Sequence, residues 1–313
     1  RVVLREHATL DAGLAALSAA PAWMLAAALA LPLLNLLCAA ASFWVLTNRH
    51  GRVRYPEMLG LIGSAWLLNH LPLRPGMIGR VAYHKLVHGI SIRASLAVLL
   101  SALICAGIGM GTLLVITVVL HALHAGIVVW CITLAAPIVV GLFAARVIHR
   151  RELAASFATQ HWRYPAAIVF RYLDVCCWTA RYALVFALLG RPITPDAAAA
   201  LSLSSQAAML SPIQLGLREW MVGLAASIVA RSSPHAADHA PSALELPESL
   251  GALAPGLLAD MVNRAAELSV AIPVGLVATA ILYARFRRVR RSRATPLRTS
   301  AGGDREAGPA AAS

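Results

Sequence analysis

The stretch NHLPLRPGMIGR, Asn69 to Arg80, interrupts a chain that otherwise runs in long blocks of Ala, Leu, Val and Ile. Pro72 and Pro75 remove backbone donors and crowd the preceding turn, Gly76 and Gly79 weaken a helix through their backbone entropy, and Arg74 and Arg80 add charge. No regular helix runs through such a segment. It predicts two short helices meeting at a break, and the fold turns on whether that break lies in water or at depth in a membrane.

The flanking blocks point to the membrane. The 313 residues are 59% hydrophobic and 13% charged, with a mean hydropathy of +0.71, whereas a soluble domain carries about 25% charged residues. A hydrocarbon layer ~30 Å thick takes roughly 20 apolar residues per helical crossing. Blocks of that kind occupy residues 22–46, 94–148, 167–189 and 255–284. The expected class is all-α and polytopic, because the alternating ten-residue strands of a membrane barrel are absent.

The net charge of +13 and pI of 10.7 do not imply a nucleic-acid partner. The basic residues lie between apolar blocks and in the last thirty residues, where they act as topology signals. Lys85 is the only lysine. Arginine suits phosphate through its planar fork, but a GC-rich, Ala-rich coding bias explains the same preference. Cys38, Cys105, Cys131, Cys176 and Cys177 all fall in apolar blocks, odd in number and without CxxC spacing, so they read as buried thiols. Residues 1–21 read as a flanking segment of a chain truncated at its start, with no signal-peptide pattern.

Arginine clusters orient the spans. NRHGRVR (48–54), RVIHRRE (146–152) and RFRRVRRSR (285–293) are expected on the cytoplasmic side, and the Lys- and Arg-free stretch 232–251 outside. About five to six full spans result, two of them within 94–148, their turn near either GIGMGT or HALHAG. A second broken segment runs from Asp196 to Ala230, its break at SPIQLGLRE (211–219). Pro72 and Pro212, and likewise Gly76 and Gly216, stand 140 residues apart. Matched breaks of this kind point to an inverted repeat, with halves 22–149 and 167–287, whose two re-entrant hairpins enter from opposite faces and meet at a site near the midplane. The plainer alternative is that Pro and Gly are common in membrane helices and the match is coincidental.

The two breaks also carry a family resemblance. NHLPLRPGMIGRVAYHKLVHGIS and SPIQLGLREWMVG together resemble the flippase-like membrane domain of the lysylphosphatidylglycerol synthase transmembrane family, over roughly residues 25 to 285. Asn69, Pro72, Arg74 and Gly76, with Arg80 beyond, match its first motif; Pro212, Gly216 and Glu219 match its second; Arg264 matches an arginine of the last span. Met77 stands where the family often has Glu, and Gln214 and Leu215 replace a second glycine. The resemblance implies a multi-pass protein of the bacterial inner membrane that binds or moves an anionic phospholipid or lipid-linked intermediate. It also implies a lipid-modifying enzyme or glycosyltransferase as a partner. No synthase domain is expected; residues 288–313 read as a polar, disordered tail.

Ionisable residues inside a membrane are functional candidates. Arg171 and Asp174 are spaced to pair at i, i+3, with Arg181 deeper on the same helix, and Asp260, Arg264 and Glu267 share a face of the final span. Each set reads either as a self-neutralising cluster or as part of a head-group site. Arg218 and Glu219 fall in the first turn of a restarting helix, where Glu219 can cap the turn and leave Arg218 for a phosphate. The substrate-binding candidates are therefore Asn69, Arg74, Gly76, Arg80, Arg171, Asp174, Pro212, Gly216, Arg218, Glu219 and Arg264. His84 with His88, and His235 with His239, have i, i+4 spacing but lack a third ligand, so no metal or other cofactor is expected. Gly107 and Gly111 fit a helix-packing motif. No nucleophile elbow, P-loop or zinc-protease pattern occurs. A flippase-like transporter is the leading reading, ahead of an intramembrane lipid-modifying enzyme or its accessory subunit and of an assembly scaffold.

Overall fold

A computed structural model describes residues 18–71, 75–154, 160–209, 217–231 and 246–294. Among them no strand occurs, and the helices are α1 (Ala22–Thr47), α2 (Tyr55–Leu68), α3 (Pro75–His88), α4 (Ile92–Ala122), α5 (Ile127–Ala154), α6 (Arg163–Leu188), α7 (Pro195–Met209), α8 (Leu217–Arg231) and α9 (Leu246–Ala294). By length and composition α1, α4, α5 and the part of α9 from Gly256 to Val289 can cross a membrane. The chain is an all-α membrane protein. At 26 residues α6 is as long as α1, but Arg163, Arg171, Asp174 and Arg181 set it apart from the four apolar helices.

Local sequence explains the ends. Ser91 caps α4 by accepting from the Ala94 N–H at 3.2 Å. Gly89 and Gly190, both at φ +70°, close α3 and α6 in the left-handed conformation that glycine adopts without strain. The turn between α4 and α5 falls in HALHAG, where the Ala125 N–H reaches back to the Leu120 carbonyl at 3.0 Å. GIGMGT, the other expected turn, lies inside α4. The basic stretch after residue 285 continues α9 to Ala294, so residues 288–294 are helical rather than part of a disordered tail.

The order of elements repeats. The helix pairs α1 and α6, α2 and α7, and α3 and α8 begin at 22 and 163, 55 and 195, and 75 and 217, which is 141, 140 and 142 residues apart. In each half a long helix is followed by two short ones of 14 or 15 residues and then by long helix again, α4 and α5 in the first half and α9 in the second. At 1.5 Å per residue the short helices span about 21–23 Å, too little to cross a ~30 Å layer.

Helix α6 lies at the centre, against α1, α4, α5 and α7. Small residues let α1 and α6 approach closely: Ala40 and Ala167 are fully buried, and the Ser42 hydroxyl donates to the Ala167 carbonyl at 3.4 Å. Helix α9 packs on both α2 and α8. The outward faces of α4, α5 and α9 expose Leu100, Val118, Ile132, Val139, Phe143 and Ile281, an apolar surface suited to lipid. The glycine of α4 that meets α6 is Gly109, whose added Cβ would lie 3.2 Å from the Tyr172 nitrogen. Gly107 and Gly111, the expected packing pair, face open space.

Gly76 permits the close approach of α3 to α2. A Cβ there would overlap the Ala65 backbone, which has no rotamer by which to yield. Gly76→Ala is expected to destabilise the protein by about 1–3 kcal/mol, the usual cost of overpacking, read as a lower unfolding temperature in detergent. An unchanged temperature would mean that the two helices do not meet there.

Candidate functional site

A continuous polar network runs through the centre, built from α1, α2, α6, α8 and α9. Asn35, an amide in the middle of an apolar helix, donates to the Asp174 carbonyl at 2.8 Å and to its Oδ1 at 2.9 Å. Arg171 holds the other Asp174 oxygen at 3.2 Å. Two turns on, Arg181 is 2% exposed and donates to four acceptors: Asn263 Oδ1 at 2.8 Å, Asn35 Oδ1 at 3.2 Å, the Asn263 carbonyl at 3.3 Å and Glu267 Oε2 at 3.3 Å. Trp66 of α2 donates to the remaining Glu267 oxygen at 2.8 Å.

Arg218 closes the network from α8. It donates to Asp260 Oδ1 at 2.9 and 3.2 Å and lies 3.6 Å from Glu267, while Tyr182 donates to the same Asp260 oxygen at 2.7 Å. Both Arg181 and Arg218 stack over Trp178, at 4.0 and 5.0 Å from its centroid. Arg171, Arg181 and Arg218 balance Asp174, Asp260 and Glu267, so the network is neutral. That balance explains how six charges can be buried together, since an unpaired one costs several kcal/mol.

The expected site residues divide. Arg171 and Asp174 pair as their spacing predicts. Asp260 and Glu267 bind Arg218 and Arg181 across the helix interface. The Arg218 guanidinium is thus engaged by two carboxylates of α9. Asn69 ends α2, its backbone N–H on the Ala65 carbonyl at 2.8 Å and its buried Oδ1 without a partner among the described residues. Arg264 is half-buried on α9. Arg74, Pro212 and Gly216 lie outside the described residues, as do Pro72, His235, His239 and the side chain of Glu219. A facing arrangement of Gly76 and Gly216 therefore falls outside them too.

Arg80 differs from the rest. Its guanidinium sits 3.9 Å from the Phe43 ring centroid, and Arg171 stands 4.9 Å from the same ring. The two cations share one aromatic ring, and the carboxylate of Asp174 is engaged by Arg171. Among the described residues no carboxylate pairs with Arg80. Beside it a cavity of about 10 Å³ is lined by Phe43, Thr47, Arg80, His84 and Ser95, among others. His84 Nδ1 and Ser95 Oγ are buried there without partners among the described residues.

No group of three metal-ligating side chains occurs among the described residues. Sequence reasoning passed over Asn35, Phe43, Trp66, Tyr182 and Asn263. Asn35 carried a signal, since a lone amide within an apolar span needs a partner. The aromatic residues carried none, because nothing local tells an arginine-facing ring from a lipid-facing one. No protein-family model, curated protein or solved structure matches this chain.

Proposed function

We propose that the protein is a multi-pass, flippase-like protein of the bacterial inner membrane that binds an anionic lipid head group and moves it between leaflets. Helix α6 is the fifth span, and the pairs α2–α3 and α7–α8 are re-entrant hairpins of an inverted repeat. The observation that carries the reading is Arg80, a cation at the Phe43 ring with no carboxylate of its own among the described residues. In an apolar layer such a charge is costly until an anion neutralises it. A phosphate reaching Arg80 also meets the field of Arg171, and guanidinium geometry suits its oxygens. The neutral network of Arg181, Arg218, Asp260 and Glu267 is the scaffold that holds the two halves around this site. The matched spacing of the helices supports a rocking of one half against the other.

The direct test uses pure protein in vesicles of phosphatidylcholine with a trace of tail-labelled phosphatidylglycerol. Quenching of the outer leaflet should reach the inner pool within minutes when the protein is present, and remain at half in protein-free vesicles. Equal rates with and without protein would remove the transport reading and leave the enzyme and scaffold alternatives.

A further inference from the structure

The cavity beside Arg80 is connected to the protein surface by a row of titratable side chains. Arg80, His84 and His88 stand at i, i+4 and i+8 on one face of α3. The His84 and His88 rings lie 5.8 Å apart, centroid to centroid. His88 Nε2 is 3.1 Å from Glu57 Oε1. Glu57 is a buried carboxylate of α2 that also accepts from Tyr83 Oη at 2.9 Å, and it lies 3.0 Å from the guanidinium of Arg285 on α9. The Arg285 side chain is 45% exposed, so the row opens where α9 becomes basic.

At its inner end the row meets His84 Nδ1 and Ser95 Oγ, which, like His88 Nε2 and Glu57 Oε2 further out, are buried with hydrogen-bonding capacity unused among the described residues. The cavity they line has room for about one water, which needs two to four polar partners; Arg80, His84, Ser95 and Thr47 surround it. The charged and titratable groups facing the two histidines are Glu57 from α2, Tyr83 and Arg80 from α3 itself, and Arg285 from α9. Helices α1 and α4 contribute only the hydroxyls of Thr47 and Ser95. Lys85 is exposed and outside this row.

We infer that Glu57, His88 and His84 form a proton relay between the surface at Arg285 and the Arg80 cavity, coupling head-group movement to protons. Each imidazole takes a proton on one ring nitrogen and gives one up from the other, so nothing is consumed. The chemistry at the inner end supplies the coupling. With Arg80 unneutralised, a second positive charge at His84, one turn along the helix, is opposed. An anion at Arg80 reverses that balance and makes the protonated imidazole favourable. An anion at Arg80 and a proton at His84 are then taken up together and released together.

This inference rests on the transport reading, and one vesicle experiment separates the two. Labelled phosphatidylglycerol is followed to steady state at equal pH and with a difference of about one pH unit. A facilitator without coupling only equilibrates the lipid, whereas one proton per lipid drives an asymmetry of up to about tenfold, the same factor as the proton ratio. The expected result is equilibration at equal pH and asymmetry under the gradient. His88→Gln, outside the cavity lining, should keep equal-pH transfer and lose the asymmetry, while eluting as monodisperse protein. Wild-type transfer that equilibrates but ignores the gradient would overturn the relay and leave the transport reading intact. Absence of transfer at every pH would overturn both. Retained asymmetry in the His88→Gln variant would overturn the relay, with coupling running elsewhere.

Discussion

Arg181→Met is expected to leave no stably folded protein. Four hydrogen bonds from one guanidinium hold α6 to α1 and α9 at a point that is 2% exposed. The substitution preserves much of the volume but strands Glu267 between Trp66 and the more distant Arg218. It also leaves Asn35 Oδ1 and Asn263 Oδ1 without this donor. Removing one partner of a buried ion pair costs about 3–5 kcal/mol, a large share of the 5–15 kcal/mol that a typical domain has in total. Arg181→Lys should retain the charge but lose the fork, and fall between the two. The measurement is the fraction of monodisperse protein after extraction and its unfolding temperature in detergent. Wild-type behaviour of the Met variant would mean that the network adds nothing to cohesion between the halves.

Arg80→Gln is expected to do the opposite: fold as well as wild type and fail to transfer lipid. Among the described residues the Arg80 guanidinium anchors no carboxylate, only the Phe43 ring. Its removal relieves a buried positive charge beside Arg171. If the cation exists to meet a phosphate, the loss appears only when the head group must be bound. A charge-assisted hydrogen bond is worth about 1.5–3 kcal/mol, so transfer should fall roughly ten- to hundredfold. Arg80→Lys should recover part, because an ammonium keeps the charge without the planar geometry. Arg287, which is solvent-exposed at the basic end of α9, serves as the control. Normal transfer by the Gln variant would exclude Arg80 from the site and move attention to Asn69 and Arg264.

Arg218 and Arg80 show where inference from sequence stops. Both follow a stretch of sequence containing Pro and Gly, and both are arginines near the start of a short helix. Nothing within ten residues of either distinguishes them. Arg218 meets Asp260, 42 residues away, and Arg80 meets an aromatic ring of α1. A side chain's partner depends on which helices pack together.

The long apolar helices, in contrast, were readable from composition and spacing. In a lipid layer every backbone group must find its partner within its own segment, so a long apolar block must be a helix and a Pro- and Gly-rich interval must interrupt it. The i, i+3 pair of Arg171 and Asp174 was readable for the same reason, since helical geometry alone brings the two together. Such features are local, and local sequence carries them. The contacts of Arg181 with Asn263 and Asn35 span 82 and 146 residues, and the packing role of Gly109 depends on the rotation of α4 about its axis. Those follow from how the helices dock, which buried polar partners and small-residue contacts set jointly and no single segment encodes.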